Sequence, residues 1–80
     1  MEYSKPMIGT CARAVNFEIV DGKVHNVRFT GGCHGNTQGV AALVEGMDVN
    51  EVIKRLEGIR CGFKNTSCPD QLAKNLKSVL

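Results

Sequence analysis

Cys11, Cys33, Cys61 and Cys68 hold the chemistry this sequence can offer. A thiolate is both a soft metal ligand and a redox nucleophile. Each of the four cysteines falls at a junction between expected elements. Cys11 precedes a hairpin and Cys33 follows it. Cys61 lies in the loop before the last helix, and Cys68 opens that helix. A cysteine acting only as a small buried hydrophobe is expected on the apolar face of an element instead. Cys33 and Cys68 stand at expected helix N-termini, where free N–H groups and the macrodipole stabilise an anion. No C-x-x-C occurs, so neither zinc-ribbon spacing nor a thioredoxin-type dithiol is present. A site has to be assembled from separate loops by the fold.

The run Gly31-Gly32-Cys33-His34-Gly35-Asn36 adds a second candidate. Glycines tolerate positive φ and let backbone N–H groups come close to a ligand. Gly32, His34, Gly35 and Asn36 are therefore candidate contacts for a nucleotide, a flavin or an anion. A plain tight turn between strand and helix accounts for the same glycines. His34 can serve as a ligand, a proton donor or a surface residue. Asp70 reads as a partner of the last helix's dipole, and Gln71 can orient a ligand. There is no Ser-His-Asp order, Walker loop or dinucleotide fingerprint.

The elements that must position these residues follow from periodicity. Tyr3 to Ile8 reads as a short strand, which Pro6 confines to an edge. Val15, Phe17 and Ile19 alternate onto one face of a strand over 14–20, and a second strand runs over 23–30. A two-residue loop at Asp21-Gly22 sets the apolar faces of these strands against each other. A three-residue loop, Val20-Asp21-Gly22, with Gly22 as a left-handed bulge, pairs Val15 with Val27 and Phe17 with His25 and removes the conflict. A helix is expected over 37–45 with Val40, Leu43 and Val44 on one face, stopped by Gly46. Asp48 and Glu51 form a capping box, with Met47 and Val52 as its staple. Val49, Val52, Ile53 and Leu56 line that helix, which ends at Gly58. The last helix starts near Ser67-Cys68-Pro69-Asp70 and turns Leu72, Leu76 and Val79 inward, with Ala73 and Leu80 widening the stripe. The expected class is α+β: a small antiparallel sheet, hairpin plus edge strand, covered on one face by three helices.

Bulk properties narrow the function classes. The 80 residues make one domain, with 42% hydrophobic and 22% charged residues, as in folded proteins. A net charge of +2 without a basic block, and only four aromatic residues, argue against a nucleic-acid platform. No apolar run reaches membrane-spanning length and no signal run opens the chain, so a cytoplasmic protein is expected. In a reducing compartment, cysteines point to metal binding or thiol chemistry over structural disulfides.

Thr66-Ser67-Cys68-Pro69-Asp70 spells the TSCPD motif. Together with Gly9-Thr10-Cys11, Gly31 to Asn36, Cys61-Gly62 and Thr66 to Ala73, it makes the chain resemble the small standalone form of the TSCPD family. The same domain is found at the C-terminus of many cobalamin-dependent ribonucleotide reductases. The resemblance implies a tie to that enzyme class, accessory to ribonucleotide reduction or DNA precursor synthesis. It does not imply a complete reductase, because 80 residues cannot supply the radical-bearing barrel. The expected partner is a ribonucleotide reductase or another redox enzyme, and a homodimer is also compatible.

The layout is also similar to NifU-like iron–sulfur scaffolds. Cys11 takes the place of their first cysteine, before the hairpin. Gly32-Cys33 matches the second, and Cys68 matches the third. Arg13 stands where those scaffolds carry an aspartate, and Ser67 where they carry a histidine. Cys61 is an additional thiol that would close a four-thiolate site, which favours stable zinc or iron over a transient cluster. Three readings remain open. The first is a zinc or iron module with Cys11, Cys33, Cys61 and Cys68 as ligands. The second is a redox accessory using Cys61 and Cys68. The third is a nucleotide- or cofactor-binding module.

Overall fold

The computed structural model describes residues 2–7, 9, 12–31, 34–60, 62 and 65–80, with His34 described by its backbone alone. Its elements are β1 (Glu2–Pro6), β2 (Ala12–Val20), β3 (Lys23–Gly31), α1 (His34–Val44), α2 (Val49–Leu56) and α3 (Cys68–Ser78). The strands form one antiparallel sheet in the order β1-β2-β3. The class is α+β, as the patterning predicts. Pro6 lies on an edge strand, where a missing N–H is tolerated.

The hairpin register differs from the expected one. Val20 pairs with Lys23, so the turn is the two-residue Asp21-Gly22. Asp21 has φ +52° and Gly22 φ +75°, the pair of left-handed residues that matches strand twist. The clash of apolar faces is real, but it is resolved in mid-strand. Glu18 pairs with His25 and Asn16 with Arg28, so Phe17 alone stands opposite Asn26 and Val27. Asn26 is the bulge residue, at φ +54°. The extra residue puts Val24 and Val27 on the same face, and both are buried. His25 therefore faces Glu18, not Phe17.

The bulge is braced from α1. Glu45, just past the end of that helix, accepts the Asn26 N–H at 2.8 Å and lies 2.6 Å from His25 Nδ1. The Asn26 N–H and His25 hold the Glu45 carboxyl below its ordinary pKa, against a smaller opposing effect of desolvation. The connector after α1 runs beside the start of β3. Gly46 N–H donates to Val24 O at 2.7 Å, and Val24 N–H donates to Met47 O at 2.9 Å.

The three helices share one core with the sheet. Val15, Phe17, Val24 and Val27 pack with Val44, Val52, Leu72 and Leu76. Ser4, Asn16 and Arg28, on the other face, are exposed. Tyr3 stacks on Phe17 with ring centroids 5.3 Å apart, as their cross-strand register requires. Two expectations about helix faces are corrected. Leu43 is 78% exposed, and the inward stripe of α1 is Thr37, Val40, Ala41 and Val44. That set follows the i, i+3, i+4, i+7 spacing, and Leu43 sits about 100° away from Val44 around the axis. Leu80 lies beyond the end of α3 and is 65% exposed.

Candidate functional site

The N-terminal end of α3 is where the Thr66–Asp70 segment acquires its geometry. Ser67 is the N-cap, and its hydroxyl accepts the Asp70 N–H at 3.1 Å. The same hydroxyl donates to Ile59 O at 2.7 Å. Pro69 occupies the first turn, where no N–H is required. Cys68 is the first helical residue, a free thiol that is half-buried against the core.

Asp70 is 1% exposed, so it is a buried carboxylate as well as a dipole partner. Its Oδ1 accepts the Gly58 N–H at 2.7 Å. Its Oδ2 accepts the Thr66 hydroxyl and lies 3.1 Å from Lys74 Nζ. Burial pushes the Asp70 carboxyl upward, but Thr66, Gly58 and Lys74 together outweigh it and hold the group below its ordinary pKa. Gln71 Nε2 donates to Thr66 Oγ1 at 3.0 Å, so it orients a threonine. The sequence shows part of this cluster, since Asp70 and Lys74 are spaced i, i+4. Gly58 is twelve residues from Asp70, and no local pattern announces it.

Of the predicted ligands, Cys68 lies among the described residues, and Cys11, Cys33 and Cys61 lie outside them, as does Gly32. Among the described residues, no group of three or more histidine, cysteine or acidic side chains comes together to hold a metal ion. The glycine-rich pattern predicts a loop at Gly35 and Asn36. They are instead exposed positions in the first turn of α1, which opens at His34. A groove between β3 and α1, lined by Val27, Phe29, Gly31, Thr37 and Ala41, runs beside that turn.

The described residues that border the cysteines in sequence do come together. Ala12, which follows Cys11, is the Cα partner of Gly31, two residues before Cys33. A Cβ at Gly9 would stand 3.3 Å from Thr66 Cγ2, and Gly9 has φ +76°. A side chain there would be both crowded and strained. Gly9 and Thr66 precede Cys11 and Cys68 by two residues each. Ile59, two residues before Cys61, is bonded to Ser67.

No helix among the described residues is long and apolar enough to cross a membrane. The family model for the TSCPD domain matches residues 1–80. No curated protein and no solved structure matches the chain.

Proposed function

The chain belongs to the TSCPD domain family, and from that premise we propose that it is a small metal-binding module. Cys11, Cys33, Cys61 and Cys68 are its ligands and zinc or iron is its metal. Its role is accessory to a ribonucleotide reductase or a related redox enzyme. One observation carries the reading. Residues bordering all four cysteines lie near one another: Ala12 pairs with Gly31, Gly9 lies beside the Thr66 side chain, and Ile59 O accepts the Ser67 hydroxyl. The donor set fits, because four thiolates make a closed tetrahedral site for zinc or iron. Bound there, the metal would supply cross-links to a domain whose small size limits its core. The chain's own part is to deliver thiolates. Ser67 and Pro69 set the start of α3, so Cys68 stands at the positive end of that helix.

Elemental analysis of protein purified without added metal or chelator tests the proposal, paired with a free-thiol count. One equivalent of zinc or iron per chain is the expected result. No metal with four reactive thiols would overturn it and favour a dithiol–disulfide role for Cys61 and Cys68. A visible absorption band separates iron–sulfur or flavin from zinc. Cys61→Ser is expected to lower metal content, and unchanged content removes Cys61 from the ligand set.

A further inference from the structure

The outer face of the sheet carries charges that the described chain does not pair. The helices pack on the other side, so Ser4, Asn16 and Arg28 are exposed. Glu2 and Glu18 are direct cross-strand partners. Like charges set opposite each other in a sheet destabilise it. One row along the same face, Ser4 pairs with Asn16 and Asn16 with Arg28. Among the described residues, none of Glu2, Glu18 and Arg28 forms an ion pair. Glu18 accepts the neutral Asn26 amide at 2.6 Å, which leaves its charge uncompensated.

Between the two glutamates and the arginine the face is hollow. The concavity is about 460 Å3, with Ser4 and Asn16 between its acidic and basic ends. The Ser4 hydroxyl donates to Asn16 Oδ1 at 3.0 Å, which ties these two short side chains together. A hollow of this size is in the range that takes a drug-sized molecule, so an arginine side chain enters it with room to spare. Strand addition is a poor route to association here. β1 is a five-residue edge that ends at Pro6, and β3 is covered from Lys23 to Asn26 by the connector after α1 and by Glu45.

We infer that this face binds a second copy of the chain. In an isologous pair, a contact from one residue to another is made twice. Arg28 of each copy enters the hollow of the other and meets Glu2 and Glu18. Each guanidinium gains carboxylate acceptors, and each glutamate pair gains the cation it lacks. An acidic or a basic partner of another kind would satisfy one end of the face and be repelled at the other. A second copy carries both signs in the same arrangement. The contact uses no cysteine and stands independently of the metal reading.

The test is sedimentation equilibrium of the full chain in reducing buffer, so that disulfides between copies do not contribute. Wild type is expected to pass from the chain mass to twice that mass as concentration rises. Association is expected to weaken about tenfold or more in Arg28→Glu and in Glu18→Arg, where like charges meet. An equimolar mixture of these two variants is expected to restore a one-to-one pair, because each reversed charge then faces its opposite. Glu18→Gln, which keeps an acceptor for Asn26, covers a failure of Glu18→Arg to fold and is expected to weaken association in the same direction. Raising the salt to about 1 M, where charges are screened beyond about 3 Å, is expected to weaken the wild-type pair. Circular dichroism checks that each variant is folded. A wild type that stays monomeric at every concentration overturns the proposal and leaves the face to solvent or to a different partner. A dimer that Arg28→Glu and Glu18→Gln leave intact, or folded reversed variants that fail to recover on mixing, overturns it as well.

Discussion

Asn26→Ala is the substitution that most directly examines how this hairpin reconciles its two apolar faces. Asn26 sits at φ +54° and is the extra residue opposite Phe17. A left-handed conformation costs an ordinary L-residue about 1–2 kcal/mol, and asparagine is one of the few that ease this. Its Nδ2 also donates to Glu18 Oε1 at 2.6 Å. That contact is exposed, so its loss adds only about 0.5 kcal/mol. The N–H bond to Glu45 is backbone and survives in any variant that keeps the bulge. Asn26→Ala should therefore destabilise the domain by about 1–2 kcal/mol. Asn26→Gly loses the same side-chain bond but has no left-handed penalty, so it should be more stable than the alanine variant by about 1 kcal/mol. In a domain of this size that difference is roughly 4–8 °C in Tm. Thermal unfolding by circular dichroism, with denaturant titration of the same three proteins, reads it directly. An alanine variant as stable as the glycine variant would refute the bulge at Asn26 and restore the expected bulge at Gly22.

The helix phases are checked by a pair of truncations: Leu76→Ala, at a fully buried position, should cost about 2–5 kcal/mol. Leu43→Ala, at a position 78% exposed, should stay within about 0.5 kcal/mol of wild type in the same urea titration. Ser67→Ala removes both the cap of α3 and the bond to Ile59 O, and should cost about 1–2 kcal/mol. The Glu45 carboxyl, held below its ordinary pKa by the Asn26 N–H and His25, should titrate in the NMR shift of the Asn26 amide with a midpoint below the usual glutamate range. Its native-state interaction is present above that pH and is lost as pH falls through the lowered value; Glu45→Gln abolishes the titration.

What could be read from the sequence depended on how local the cause was. The two later helices were legible because their caps and stripes lie within single segments. Asp48 accepts from Asn50 and Glu51 N–H groups, and Val49, Val52 and Ile53 are buried as their spacing requires. The start of α1 is only partly legible: a helix N-terminus is expected at Cys33 and α1 opens at His34, but the apolar stripe starts at Thr37 because Gly35 and Asn36 are poor helix formers. Its face is misleading in sequence because Thr37, 5% exposed, takes a place on the inward stripe and turns Leu43 out. The hairpin is an intermediate case. Alternation shows that an extra residue must be absorbed, but its place is fixed by Glu45, nineteen residues from Asn26. The candidate site divides the same way. The cap and the Asp70–Lys74 spacing are local, whereas Gly58 under Asp70 and Gly9 against Thr66 depend on the completed fold.

That division bears on how the Thr66–Asp70 segment works. Thr66 donates to the carboxylate, Ser67 caps the helix, Pro69 fills the first turn, and Asp70 is the buried acceptor. These roles are mutually dependent. Removing Asp70 leaves the buried Thr66 hydroxyl without its acceptor, at about 1–3 kcal/mol, and the exposed Gly58 loses a bond that water can replace. An 80-residue domain has only roughly 4–12 kcal/mol of stability, so a cluster of this kind is a large share of the total. Cys68 is the member of the run whose side chain the cluster does not use. It is fixed at the head of a helix by its neighbours on both sides, half-buried and in no disulfide. In the proposed metal site, the α3 cap and its bond to Ile59 O would hold Cys68 at a constant place. A thiol that had only to fill core volume would need none of this support, since hydrophobic packing alone sets its place.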